Sequence, residues 1–275
     1  MKVKDKVIVV TGGGSGIGRE LVFELLKKGA HVAAVDINEV NLAETMELAG
    51  TQRDKMSTHV VNIADLKAVE ALPAEVIAAH SAVDGLINNA GIIQPFVRFK
   101  DLEMADIEKV MNVNFYGTLY MTGAFLPHLM ERPEGYIANI SSMGGFLPVP
   151  GQTIYGASKA AVKLYTEGLH SELRGTNVGV SIVFPGATAT NIAVNSGVMS
   201  EEQQENADTS AYKTTPADVA AQKIVEGIEA GKYRVLIGSD TKTMDFLYRL
   251  MPERAAGIIY NQMKDLLPKK FLPPG

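Results

Sequence analysis

The chain has no cysteine and no tryptophan among its 275 residues. Without cysteine there is no disulfide, no thiol nucleophile and no thiolate metal site, and the composition suits a reducing compartment. The five histidines, at 31, 59, 80, 128 and 170, stand without ligand spacing, so no catalytic metal is expected. No apolar stretch approaches the roughly 18 residues of a membrane-crossing helix. The start, MKVKDKVIVVTGG, lacks the apolar core and cleavage site of a signal peptide. A cytoplasmic protein is expected. Basic charge is short as well. Lys and Arg number 26 against 31 Asp and Glu, a net charge of −5, and no basic stripe runs through the chain. That argues against a nucleic-acid partner and offers little to anionic lipid, so membrane contact is not expected.

What is present is an apolar, glycine-rich alternation. Hydrophobic residues make up 46% and glycines number 26. Lys6–Val10 is an apolar run that reads as a buried parallel strand. Thr11 to Gly18 follows as TGGGSGIG, and Arg19–Lys28 is amphipathic. Strand, glycine turn and helix together form the setting of a nucleotide-binding turn. Glycines let backbone approach a pyrophosphate, and the helix N-terminus presents free N–H groups. The spacing is TGxxxGxG rather than G-x-G-x-x-G. A second strand, His31–Val35, ends at Asp36, an acidic side chain able to accept from ribose hydroxyls and to repel a 2′-phosphate. No Arg or Lys stands at 15, 37 or 38, which favours NAD over NADP. Arg19 is the one dissenting cation, expected to face solvent or a pyrophosphate.

Further strands are expected at Ser57–Val61, Val83–Ile87, Gly135–Ile140, Asn177–Val183 and Tyr233–Ile237. The helices between them include Leu66–Ala79, which Pro73 should break or kink, and a long one over Leu102–Met130. This βαβ alternation predicts an α/β fold. It is a single doubly wound, Rossmann-like parallel sheet of about seven strands with helices on both faces, and one domain spans 1–275. Ligands bind such sheets at the carboxyl ends of the strands, where the glycine turn, Asp36, Asn62 and Asn88–Gly91 all fall.

The stretch Ser142 to Lys159, SMGGFLPVPGQTIYGASK, carries the chemistry. Tyr155 and Lys159 are four apart and share a helix face. A nearby ammonium favours the phenolate and would bring a phenol that ionises near pH 10 toward working pH. Ser142, one loop earlier, can hydrogen-bond the same oxygen. A bare YxxxK is also an ordinary surface pair, so the reading depends on the rest of the chain.

Taken together, TGGGSGIG at 11–18, Asp36, NNAG at 88–91, Asn114, Ser142, Tyr155-x-x-x-Lys159 and Pro185-Gly186 followed by Thr188 and Thr190 resemble the short-chain dehydrogenase/reductase family, over roughly Lys6 to Ile237. The resemblance implies an oxidoreductase interconverting a secondary alcohol and a ketone. Tyr155 would be its general acid/base. Lys159 would lower the Tyr155 pKa and hold the nicotinamide ribose, Ser142 would orient the substrate oxygen, and Asn114 would position a water for a proton relay. Ser141 stays open as an alternative to Ser142. The implied cofactor site comprises Gly12, Gly14, Ser15, Gly16, Ile17, Gly18, Asp36, Ile37, Asn62, Ile63, Asn89, Ala90, Gly91, Tyr155, Lys159, Pro185, Gly186, Thr188 and Thr190. Asn62 stands where many relatives have Asp.

Apolar residues near Ser142 (Ile92, Ile93, Phe96, Val97, Phe146, Leu147 and Val149) lean toward a hydrophobic substrate, steroid-, retinoid- or acyl-like. Residues 187–214 are expected to form a lid over it. Residues 240–275 form a C-terminal helical appendage, expected to pack on the domain or on a neighbouring subunit. The family's habit implies a homodimer or homotetramer through 102–130 and 154–174. Two other classes stand beside this one, an NAD-binding redox sensor without turnover and an NAD-dependent epimerase or dehydratase.

Overall fold

Side chains on a strand alternate between its faces, so a strand covered on both sides has to be apolar throughout. Val7–Thr11 (β1) meets that demand, and all five of its residues are buried. The computed structural model describes residues 1–200, 202 and 214–264. Six more strands follow, β2 (His31–Asp36), β3 (Met56–Val60), β4 (Gly85–Asn88), β5 (Gly135–Ile140), β6 (Val178–Pro185) and β7 (Arg234–Ile237). They form a single parallel sheet in the order β3-β2-β1-β4-β5-β6-β7. Among the described residues the α-helices are α1 (Gly16–Lys27), α2 (Glu39–Leu48), α3 (Leu66–His80), α4 (Met104–Met111), α5 (Gly117–Met130), α6 (Thr153–Glu172), α7 (Ile192–Asn195), α8 (Ala217–Glu229), α9 (Ser239–Leu250) and α10 (Pro252–Met263).

The alternation divides the core in two. Ile8 and Val10 of β1, with Val32 and Ala34 of β2, pack with Leu21, Val22 and Leu25 of α1 and Ile224 of α8. Val7, Val9, Ala33 and Val35 face the other way, onto Leu72 and Val76 of α3, Phe125 and Leu129 of α5 and Leu169 of α6. Each such large side chain contributes about 1.5–3 kcal/mol by burial. The direction of winding reverses between β1 and β4. That switch point opens a crevice at the carboxyl ends of the strands, where Asp36, Asn88, Ser142 and Pro185 emerge.

Two expectations need correction. Pro73 does not break α3, which runs from Leu66 to His80. Pro73 is buried there with Leu72 and Val76, and that packing outweighs one missing backbone bond. The helix expected over Leu102–Met130 begins at Met104 and contains a wider π turn at Asn112–Tyr116. A π turn displaces one residue from the regular ladder, and at this one Asn114 sits fully buried. The tail packs on the domain, as expected. Beyond Gly238, α9 and α10 fold back onto the loop after Ser142, where Leu247, Tyr248, Ala255 and Ile259 pack with Met143, Phe146 and Leu147. The appendage is therefore a wall of that loop as well as packing. Of the expected lid, Thr188 bridges to Thr215 and α7 is formed, whereas 201 and 203–213 lie outside the described residues.

At the opposite end of the sheet Asp84 joins three strands. Its carboxylate accepts from Val7 N at 3.0 Å and from Arg132 Nε at 2.8 Å, with Lys6 Nζ at 3.6 Å. Asp84 is 2% exposed, so its removal would leave a buried N–H unpaired. Asp84→Ala is expected to lower the unfolding free energy by about 2–4 kcal/mol. Urea denaturation measures this, and an unchanged midpoint would contradict it.

Candidate active site

The glycine turn is held open by its own lack of side chains. Gly12 has φ +70° and Gly16 φ +52°, conformations that suit glycine. A Cβ on Gly18 would lie 1.8 Å from the Gly12 carbonyl oxygen, so α1 and β1 approach closely only because position 18 has none. Helix α1 starts here with no side-chain cap and no acidic residue in its first turn. Its leading N–H groups therefore remain for an anion. Ser15 does not cap the helix, and its Oγ accepts from Asn195 Nδ2 at 2.8 Å. Thr190 lies against Gly16, its Cβ 3.3 Å from where a Gly16 Cβ would stand. The segment after β6 therefore reaches the phosphate turn.

Asp36 closes the far side. One carboxylate oxygen accepts from Gly14 N at 3.0 Å and the other from Asn38 N at 3.0 Å. Ile37 beside it is 67% exposed. Arg19 folds back onto its own turn rather than facing solvent. It donates to the Gly14 carbonyl at 2.6 Å and to Thr45 Oγ1 at 3.0 Å, and pairs with Glu44. Asn62 is exposed, with Oδ1 accepting from Ala64 N at 3.0 Å. Ile63 points inward against Gly117, so only its backbone can face a ligand.

Thr11 holds the NNAG segment. Its hydroxyl accepts from Asn89 N at 2.9 Å and Ala90 N at 3.0 Å, while Asn89 Nδ2 donates to the Thr11 carbonyl at 3.0 Å. Gly91 stands beside Lys159, with Lys159 Nζ only 3.0 Å from where a Gly91 Cβ would be. At β6, Pro185 is buried and Gly186 packs on Asp240 and Thr241 of α9, while Thr188 Oγ1 donates back to the Gly186 carbonyl at 3.1 Å.

Ser142, Tyr155 and Lys159 come together. The Ser142 hydroxyl accepts from Gly144 N at 3.1 Å, and the Tyr155 ring and Ser142 Oγ lie 3.4 and 3.5 Å from where a Gly144 Cβ would stand. Ser141 is committed elsewhere, donating to the Lys159 carbonyl at 2.7 Å from a buried position. Ser142 is the serine of the pair that remains beside the Tyr155 ring. Lys159 is 4% exposed, with Nζ donating to the Ile140 carbonyl at 3.0 Å and lying 6.0 Å from the Tyr155 ring centroid. The expected lowering of the phenol by the ammonium is not what governs it here. Burial pushes the Tyr155 phenol above its usual range, and the Ser142 hydrogen bond draws it back in part. Burial also holds the Lys159 amine down, to about 8.

Asn114 ties this centre to the NNAG loop. Its Oδ1 accepts from Ile92 N at 2.8 Å, and its Nδ2 donates to the Ile92 carbonyl at 2.9 Å and to Ser158 Oγ at 3.0 Å. Both amide hydrogens are thus spent on protein, and one oxygen lone pair remains for the expected water. Two functional neighbours escaped the sequence reading, Gln94 and Ser158. Neither carries a spacing signal. The only hint for Gln94 is a polar residue inside the apolar run IIQPF. Among the described residues no three of His, Asp and Glu gather as metal ligands, and no helix is long and apolar enough to cross a membrane.

Comparison with known proteins agrees with this geometry. The family model described as short chain dehydrogenase matches residues 6–201. SadH of Mycobacterium tuberculosis, named as an oxidoreductase, is 36% identical over 274 residues, covering 98% of this chain and 97% of SadH. The 3-oxoacyl-[acyl-carrier-protein] reductase FabG of Thermotoga maritima is 34% identical over 218 residues, 78% of this chain and 85% of FabG. Among solved structures, a short chain dehydrogenase/reductase from Burkholderia phymatum in complex with NAD is similar with a TM-score of 0.80 at 25% identity, covering 91% of this chain and 96% of its own.

The buried amine has a measurable signature. The folded chain releases the Lys159 proton near pH 8, whereas the unfolded chain keeps it to the ordinary lysine range. Between those values the unfolded state binds more protons, so stability rises with pH. The unfolding free energy of the ligand-free protein is expected to climb by about 2 kcal/mol between about pH 7.5 and about pH 9.5. Lys159→Met should lack that climb. A parallel course for the two proteins in urea titrations across this range would refute it.

Proposed function

This chain belongs to the short-chain dehydrogenase/reductase family, and from that premise we propose that it is an NAD-linked oxidoreductase interconverting a hydrophobic secondary alcohol and its ketone. The observation that carries the reading is the meeting of Ser142, Tyr155 and Lys159 at the strand ends, beside a glycine turn that a single Cβ at Gly18 would fill.

The residues present fit a dinucleotide. Gly12, Gly14, Gly16 and Gly18, with the uncapped start of α1, would receive its pyrophosphate, and Asp36 its adenosine ribose. Asn89, Ala90 and Gly91 would line the adenosine side, and Lys159 and Tyr155 the other ribose. When bound, the nicotinamide supplies the hydride acceptor or donor. The protein's own part is position and proton transfer. Tyr155 gives a proton to the ketone oxygen or takes one from the hydroxyl, and Ser142 holds that oxygen through its own hydroxyl. Lys159, buried with an amine near 8, can give up or regain its own proton near working pH. Asp36 repels a 2′-phosphate, and Glu44 already occupies Arg19, which supports NAD over NADP.

Met143, Phe146 and Leu147 beside Ser142, backed by α9 and α10, support an apolar substrate, steroid-, retinoid- or acyl-like. The name of the Thermotoga relative favours the acyl form. Exposed Tyr116, Met130 and Leu164 on α5, its π turn and α6 support a homo-oligomer through those helices. An NAD sensor has no use for a phenol, a hydroxyl and a buried amine gathered at the strand ends.

Tyr155→Phe is expected to lower turnover about 10³-fold while NADH affinity, read by fluorescence, stays within about twofold. NADP should support the wild-type reaction far less well than NAD. Wild-type turnover by the variant would refute the acid/base role, and equal use of both cofactors would refute the NAD preference.

A further inference from the structure

Helix α6 carries Tyr155 in its first turn, where backbone N–H groups have no partner within the helix. A side chain at the N-cap usually satisfies them. Gln152 occupies that position here and makes no such bond. The partner comes from a distant loop instead. Gln94 is fully buried, and its Oε1 accepts from Ile154 N at 2.7 Å and from Tyr155 N at 3.0 Å. Its Nε2 donates to the Gly151 carbonyl at 3.1 Å, and its own carbonyl accepts from Gln152 Nε2 at 2.7 Å. Four bonds from one residue thus wrap the start of α6. The other end of the Tyr155 peptide is held too. Its carbonyl accepts from Ser158 Oγ at 2.7 Å, and Ser158 accepts from Asn114.

These contacts close a ring. Asn114 grips Ile92 through both backbone groups, Gln94 lies two residues on and grips Tyr155 N, and Tyr155 O returns through Ser158 to Asn114. The Tyr155 backbone is therefore fixed on both sides relative to the loop that follows NNAG. Ser142 and the Tyr155 ring flank Gly144 from separate elements, so how closely the phenol approaches Ser142 depends on where that backbone is held.

We propose that Gln94 is a positioning residue for Tyr155, setting the first turn of α6 so that the phenol reaches Ser142. This rests on the reading of Tyr155 as the acid/base. A simple cap would contribute stability alone. A positioning residue also changes the phenol's surroundings and the rate.

The test uses the full chain labelled with tyrosine bearing ¹³C at the hydroxyl-bearing ring carbon, in wild type, Gln94→Met and Gln94→Glu. The Tyr155 resonance is assigned by its loss in Tyr155→Phe. It reports the phenol's hydrogen bond and needs no substrate. It is expected to move in Gln94→Met. In Gln94→Glu, whose carboxylate still accepts from Ile154 and Tyr155, it should return toward the wild-type position. Oxidation of 2-octanol with NAD should show kcat down roughly 10–100-fold in Gln94→Met, with KM for NAD within about twofold. If Gln94→Met fails to fold, Gln94→Asn, which draws the amide back by one methylene, replaces it with the same expectation. An unmoved resonance with wild-type kcat, in a variant that has lost only thermal stability, overturns the proposal. If Tyr155→Phe itself oxidises 2-octanol at the wild-type rate, the acid/base reading fails instead. The carbon resonance then still decides whether Gln94 places the phenol.

Discussion

The arrangement at the strand ends depends on one closed circuit of hydrogen bonds, running from Asn114 through Ile92 and Gln94 to Tyr155 and back through Ser158. Every member is polar, and Asn114, Gln94 and Ser158 are buried. A buried polar group costs free energy unless it is paired, so the circuit is stable as a whole and unstable in part. The π turn at Asn112–Tyr116 belongs to the same constraint. It lies where the buried Asn114 side chain must bond at once to the loop beyond Gly91 and to α6. The fold delivers β4, β5 and α6 to one edge, and the circuit sets the finer register of the phenol within it.

Burial at this centre penalises the charged forms of both partners. The phenol of Tyr155 rises and the amine of Lys159 falls to about 8, so both groups favour neutrality in the ligand-free protein. What lowers Tyr155 is the neutral Ser142 hydroxyl, not the ammonium. The two shifts move the groups apart, so the phenol holds its proton more tightly while the amine gives its own up more readily. The same dry surroundings strengthen every dipole aimed at the substrate oxygen.

The backbone architecture was legible because it rests on period and composition. Apolar strands, the glycine turn and the βα alternation each have a local cause, and they predicted the sheet and the crevice. Tyr155, Lys159 and Ser142 were legible because a spacing of four and a preceding loop are sequence quantities. Directions of side chains were not. Ile63 turned inward to fill the space left by Gly117, and Arg19 folded back onto its own turn to meet Glu44. Pro73 stayed inside α3 because its neighbours bury it. Gln94 escaped altogether, since its partners Ile154 and Tyr155 lie 60 and 61 residues away and are backbone groups that no residue type announces.

The most direct test of the account is the initial rate of NADH formation from NAD and 2-octanol, followed from about pH 6 to about pH 10, with the reverse reaction measured on 2-octanone. A single phenol acting as acid and base, its ionisation held above the ordinary range by burial, makes oxidation rise about tenfold per pH unit across this range. Reduction should stay flat over the same range. Turnover whose oxidation rate is flat across the whole range would mean that no titrating group takes the alcohol proton, and would contradict the role proposed for Tyr155.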